Sequence, residues 1–264
     1  MLSIYSDTGF MIYVVVLTVI LGAIFGSFLN CTAYRIAHGE SFVKGRSHCT
    51  SCGHELSALD LIPILSWVFL KGKCRYCGEK VSARYPLTEA FFALLMTACL
   101  LKFDLTPECL RNMICIGCLF TLSLVDMESM IIPDGCLIIA ALAWAATAPF
   151  MGYALSDIIV YVASGIGYAA ALLVLSLIMD KVLKKESMGG GDIKLVAVMG
   201  LYLGAIGTLF AAMIACIAGL IYYAIVIRRQ EEPGAFPFGP FLSAAAVFML
   251  ILGGPLVSWY ISLL

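Results

Sequence analysis

Two cysteine pairs, Cys49/Cys52 and Cys74/Cys77, and two aspartates, Asp126 and Asp192, are the residues whose type and spacing point to chemistry. Each pair is C-x-x-C followed at once by glycine, Gly53 or Gly78. Two intervening residues let one tight turn aim both thiolates at a single ion, and the glycine lets that turn close. The stretches CTSCGHELSA from Cys49 and CRYCGEKVSA from Cys74 repeat with a constant offset. Two such knuckles facing each other make a tetrahedral four-thiolate site, and the ion expected there is zinc, in a structural role. Two independent redox pairs would need a thioredoxin-like βαβ context, which this loop lacks. Four thiolates complete the shell, so His48 and His54 read as solvent-facing.

Asp126 and Asp192 each stand at the edge of an apolar run, where an ionisable group is costly and is by default a site hypothesis. Asp126 closes the run Asn112–Val125, and Asp192 opens the run from Leu195. Before Asp192 stand Gly189, Gly190 and Gly191, which bear no side chains, so another backbone can approach that carboxylate and the chain can take a positive φ. Two carboxylates a few ångströms apart cannot both ionise easily and share one proton, the aspartic-protease arrangement of a base on water and an acid toward the scissile carbonyl. All three histidines fall between Arg35 and Arg84, so no apolar run carries a Ser/His dyad or an H-E-x-x-H site. A proton-coupled transporter, or a zinc-bearing scaffold without activity, would carry the same acidic pair.

Other acids take structural readings. Asp134, after Pro133, reads as a helix N-cap. Asp157 opens the next helix, and Glu89 pairs with Arg84.

The elements that position these groups are membrane helices. The chain is 62% hydrophobic and 12% charged, whereas soluble domains are near half apolar and a quarter charged. Uncharged runs at 8–34, 135–156, 158–179, 195–227 and 233–264 each reach the roughly 20 residues that cross hydrocarbon. Shorter runs at 87–101 and 112–125 count as spans if flanking residues extend them. The run 195–227 is long enough to divide, with Gly200, Gly204 and Gly207 offering the turn. The fold expected is all-α and polytopic, about eight transmembrane helices with a small four-cysteine zinc ribbon between the first two.

Basic residues set the orientation. Of the 16 Lys and Arg, 14 lie between Arg35 and Arg84, between Lys181 and Lys194, and at Arg228 and Arg229, which places these segments in the cytoplasm. Three regions follow: 1–34 as a first membrane helix, 35–85 as the ribbon with an interfacial segment around Pro63 and Trp67, and 86–264 as the membrane domain of the aspartates. The N-terminal run lacks a basic start and is too long for a signal-peptide core, so it reads as a retained helix. A net charge of -1 argues against nucleic acid as a partner, and lipid is the expected surrounding.

In order along the chain, GSFLNCTAYR, RSHCTSCG, LDLIPILSW, KGKCRYCG, ARYPLTE, IIPD, GGGDIKL and FPFGPF resemble segments of the type IV prepilin peptidases, aspartic intramembrane peptidases of the G-x-G-D class. The resemblance covers almost the whole chain. It implies that Asp126 and Asp192 are the catalytic pair and Gly189 to Asp192 the G-x-G-D element. It also implies a bacterial inner-membrane enzyme that cleaves the leaders of prepilins or pseudopilins of type IV pilus and type II secretion systems. Methylation of the new N-terminus with S-adenosylmethionine rests on the resemblance alone, since no dinucleotide-type glycine motif follows a strand. No residue is assigned to it.

Overall fold

The computed structural model describes residues 3–41, 45–184, 188–226 and 236–263. Lys44, Lys185, Arg228 and Arg229, which contribute to the expected orientation, lie outside them, as do Ile227 and Pro233. Among the described residues the protein is helical, with no strand beyond two isolated bridges in the ribbon. The helices are α1 (Thr8–Ala37), α2 (Leu65–Phe69), α3 (Arg84–Phe103), α4 (Pro107–Ser129), α5 (Asp134–Thr147), α6 (Leu155–Leu183), α7 (Gly190–Ile225), α8 (Gly239–Leu252) and α9 (Gly254–Ile261). They fall into two compact units, Met1–Cys109 and Leu110–Leu264.

In the first unit α1 packs along α3. A Cβ on Gly22 would come within 2.8 Å of Ala93 Cα, and one on Gly26 within 3.2 Å of Glu89 Cα. Small residues thus let the two backbones approach, as membrane helices require when water supplies no driving force between them. Asn30 Nδ2 then donates to Thr88 Oγ1 at 2.7 Å across the seam. At the opposite end Asp104 accepts from Ser3 Oγ and from the Ile4 backbone N–H, tying the start of the chain to the end of α3.

In the second unit Leu119, Leu122, Trp144, Leu195, Val196 and Leu242 form one buried core contributed by α4, α5, α7 and α8. α6 and α7 meet at Gly165 and Gly200, where a Cβ on Gly200 would lie 2.4 Å from Gly165 Cα. The most apolar stretches of α1 and α6 are only 17% and 11% buried, which leaves those faces for lipid.

Five helices are long and apolar enough to cross a membrane, or six when α8 and α9 count as one bent span. The short runs at 87–101 and 112–125 are extended by their flanks into the 20 residues of α3 and the 23 of α4. Two of the long runs are not single helices. The stretch 135–156 stops at Thr147, because Pro149 enters a short 3-10 turn and Gly152 adopts φ +67°. The last run bends by 76° between α8 and α9, where Gly253, Gly254 and Pro255 interrupt it. The 36-residue α7 would extend about 54 Å if straight. Its backbone departs from helix at Gly204 (φ 65°, ψ −171°), one of the three glycines expected to offer a turn.

Gly200→Ala is expected to push α6 from α7 and lower stability by about 1–3 kcal/mol. Gly167→Ala, whose Cβ would meet nothing within 4 Å, is expected to be neutral or slightly stabilising. Thermal unfolding of both variants in detergent tests the contrast.

Candidate active site and metal centre

The ribbon's sequence repeat is a structural repeat. In the first knuckle Cys49 N–H donates to His54 O and Gly53 N–H to Cys49 O, both at 2.9 Å. In the second, Cys74 N–H donates to Glu79 O at 2.8 Å and Gly78 N–H to Cys74 O at 3.0 Å. Each knuckle carries one bridge, His48 to Glu55 and Lys73 to Lys80. Gly53 (φ +70°) and Gly78 (φ +75°) sit in the left-handed region, which is why glycine follows each second cysteine.

The four Sγ atoms lie within 4.8 Å of one another, with Cys49 and Cys77 at 3.9 Å. Tetrahedral Zn–S bonds of about 2.3 Å would set the sulfurs roughly 3.8 Å apart, so the residues fit such an ion. Backbone N–H groups of Cys52 and Ser51 bring Cys49 down to about 6. Cys77, despite the Glu79 backbone, is pushed up to about 12 by desolvation and by its three neighbouring thiols. All four sulfurs could be thiolates together only with a cation shared among them. Among the described residues His48 and His54 do not join the cluster, and His54 stacks on Tyr76.

Asp60 joins the knuckles. Its carboxylate accepts from Ser57 Oγ at 2.7 Å, Ser57 N at 3.1 Å, Arg75 Nε at 2.6 Å and Tyr76 Oη at 3.1 Å. The Ser57 hydroxyl is the main cause of its low pKa, about 2. Trp67, expected at the membrane surface, spends its indole on the ribbon. It donates to Val81 O at 2.9 Å and stacks over Gly72, whose missing Cβ would lie 2.9 Å from the ring. The exposed apolar side chains of the segment include Leu59, Leu65, Val68 and Phe69.

In the second unit Asp126 and Asp192 come from the C-terminal end of α4 and the first turn of α7. Asp126 is 5% exposed, and its Oδ2 accepts from the Gly239 backbone N–H at 2.9 Å. Asp192 lies within electrostatic reach of Asp126, and its Oδ1 is buried without a hydrogen-bond partner. Between the two helix ends sits Ile132. A Cβ on Gly191 would meet Ile132 Cβ at 2.8 Å, and one on Gly239 would meet Asp126 Oδ2 at 2.7 Å and Ile132 Cδ1 at 3.3 Å. Segments IIPD, GGGDIKL and FPFGPF therefore converge on one side chain. Their glycines are the places where it and a carboxylate occupy the space of a Cβ.

The chain reaches this point by three local devices. Met130 takes φ +54° just after α4 and turns the chain into Ile131–Pro133. Gly189 caps α7, and the Asp192 N–H donates to Gly189 O at 3.1 Å. Phe238 packs over Gly219, where a Cβ would lie 3.2 Å from its ring, and stacks with Phe241, anchoring the start of α8.

Three expectations are corrected. Gly189 to Gly191 adopt no positive φ, because they form the cap and first turn of a helix, and of the three it is Gly191 whose value is steric. Asp134 is the first residue of α5 after Pro133 and caps nothing. It pairs with Lys194 Nζ at 2.8 and 3.0 Å, joining IIPD to GGGDIKL on the exposed side. Glu89, suggested as a partner of Arg84, accepts the Ile64 N–H at 2.8 Å, while Asp157 accepts the Ala154 N–H at the start of α6, as expected of a helix-opening acid. Sequence reading did not reach the Gly239 N–H or Ile132. The signal was present in the isolated Gly239 of FPFGPF.

Two family models match: the Bacterial Peptidase A24 N-terminal domain over residues 20–103 and the Type IV leader peptidase family over residues 113–224. The chain is 32% identical over 248 residues to the Prepilin leader peptidase/N-methyltransferase of Bacillus subtilis (strain 168), covering 92% of this chain and 96% of that protein. It is 35% identical over 262 residues to the Type 4 prepilin-like proteins leader peptide-processing enzyme of Escherichia coli O78:H11, covering 90% and 93%. A Myxococcus xanthus relative, also named Prepilin leader peptidase/N-methyltransferase, is 35% identical over 226 residues, covering 81% and 67%. No solved structure gives a significant match. The fold and site define a polytopic helical membrane protein with a four-cysteine centre and a converging aspartate pair. The chain belongs to the type IV leader peptidase family.

Asp60 has a depressed folded pKa, so its contribution to stability is fully present above its ordinary value near 4 and is lost as pH falls toward about 2. Asp60→Asn is expected to loosen the ribbon by about 1–3 kcal/mol at neutral pH and to remove that acid step. Hydrogen exchange across residues 57–81, followed from pH 4 down to 2, reads both effects.

Proposed function

We propose that this chain is an aspartic endopeptidase of the bacterial inner membrane that removes the leader of type IV prepilins or pseudopilins and then N-methylates the exposed amine. The observation that carries the peptidase reading is the convergence of Asp126 and Asp192 around Ile132, with the Gly239 N–H fixing one of the carboxylates. Support for substrate and methylation comes from the family and from the names of its members.

In this reading Asp126 and Asp192 hold one water between them. The Gly239 N–H orients Asp126, while Asp192 Oδ1, which lacks a donor, is the oxygen that carries or takes the shared proton. One carboxylate takes a proton from water as it attacks the scissile carbonyl, and the other protonates the departing amine. A helical substrate hides its carbonyl carbons, so the cleaved stretch must unwind locally. The open space beside Gly190, where a Cβ would meet nothing within 4 Å, is available to receive it. The distribution of basic segments supports a cytoplasmic face for the ribbon and the aspartates.

Residues 1–34 serve as a membrane anchor, 35–85 as the ribbon and 86–264 as the peptidase region. Cys49, Cys52, Cys74 and Cys77 would hold zinc, whose closed shell supplies structure and leaves no open position for substrate. S-adenosylmethionine would supply the methyl group. No observation favours a transporter or an inactive scaffold.

Asp126→Asn and Asp192→Asn are each expected to lower leader cleavage by about 100- to 10,000-fold while leaving the protein folded. Gly239→Ala, which places a carbon against Asp126 Oδ2, is expected to cost about 100-fold, and Gly190→Ala to stay close to wild type. Cleavage of a purified prepilin in detergent measures all four; full activity in either Asn variant would remove the assignment.

A further inference from the structure

The two aspartates are held unequally. Asp126 receives the Gly239 N–H at 2.9 Å, whereas Asp192 Oδ1 has no donor among the described residues. The position of Asp192 therefore depends on where the first turn of α7 is held. Two contacts hold it against segment 131–134. One is apolar, with Ile132 filling the space of a Gly191 Cβ. The other is ionic, with Lys194 Nζ donating to both oxygens of Asp134, at 2.8 and 3.0 Å. The peptidase reading gives this ion pair no part.

The pair is poorly placed to serve α7 itself. A carboxylate at the first residue of α5 suits the positive end of that helix, but Lys194 is the fifth residue of α7, where a cation opposes the helix dipole. Nor is folding stability its main effect. The side chains are 58% exposed for Lys194 and 59% for Asp134, and a pair so open to solvent contributes little. Its place in the chain is more telling. Asp134 follows Asp126 by eight residues, and Lys194 follows Asp192 by two. The salt bridge thus closes a short ring that runs from Asp126 through the turn at Met130 to Ile132 and Asp134, crosses to Lys194, and returns along the helix to Asp192.

We infer that Asp134 and Lys194 are positioning residues, an ionic strap that sets the separation of the two aspartates. The inference rests on the peptidase reading and adds to it a pair that acts through Asp192 without touching water or substrate. Ile132 keeps the two helix ends from closing by its bulk, while the strap keeps them from drawing apart. Joint action on one water needs an oxygen of each aspartate within hydrogen-bond reach of it, about 2.6–3.2 Å. A displacement of about 1 Å can lower a rate on the order of 100-fold. A tie too weak to alter folding is therefore strong enough to alter turnover.

The test is steady-state cleavage of a purified prepilin by the full chain in detergent, with thermal unfolding of each variant alongside. Asp134→Asn and Lys194→Met are each expected to lower kcat about 10-fold while KM and the unfolding temperature stay near wild type. The double variant is expected to be no slower than either single one, because the second change removes nothing further. Lys194→Arg, whose guanidinium matches the two oxygens of Asp134, is expected to keep most of the rate.

Wild-type kcat in both single variants would overturn the inference, as would losses that multiply in the double variant. A rise in KM at unchanged kcat would overturn it too, since the pair would then hold the substrate directly. So would a fall in unfolding temperature that tracks the loss of rate, or a Lys194→Arg variant as slow as Lys194→Met. Asp192→Asn in the same assay separates the two readings. Wild-type cleavage there sinks the peptidase reading, whereas its loss beside unaffected strap variants sinks the strap alone.

Discussion

A carboxylate at membrane depth must find its partners within the protein, because hydrocarbon offers none. For Asp126, at the end of an apolar helix, one backbone donor among the described residues meets that need, the Gly239 N–H, delivered where any side chain at residue 239 would strike the carboxylate it serves. Much of the second unit can be understood from this contact. Phe238 against Gly219 holds the start of α8, Met130 turns the chain out of α4, and Ile132 spaces the start of α7 from the start of α8. The packing of α6 on α7 through Gly165 and Gly200 then fixes the helix that carries Asp192.

The glycines do different work despite their common type. Gly53 and Gly78 are needed for their backbone conformation, since each closes a cysteine knuckle in the left-handed region. Gly191, Gly200 and Gly239 are needed for space, in ordinary helical or near-helical backbone. Gly190 has neither requirement among the described residues.

Much of this was legible in the sequence. Apolar run lengths gave the helices, and the cysteine spacing with its offset repeat gave the clustered thiols that the structure brings together. The limits were equally physical. Hydropathy measures solvent preference and not continuity, so Pro149 with Gly152, and Gly253 with Gly254 and Pro255, broke runs that composition alone would carry across the bilayer. The triple glycine suggested unusual torsions because a sequence cannot distinguish a glycine kept for φ from one kept for volume. Gly239 stood out only as a glycine within FPFGPF, and its role, like that of Ile132, depends on partners more than 40 residues away in chain order. Glu89 and Ile64 are 25 residues apart, and their contact emerges only once the ribbon folds back on α3.

The central claim is that Asp126 and Asp192 act jointly on one water. An experimental structure of the protein with a peptide analogue bearing a hydroxyl in place of the scissile carbonyl tests it most directly. The account predicts that hydroxyl within hydrogen-bond reach of both carboxylates, with the Gly239 N–H still on Asp126. A hydroxyl bound by one aspartate alone, the other lying beyond reach, would contradict it.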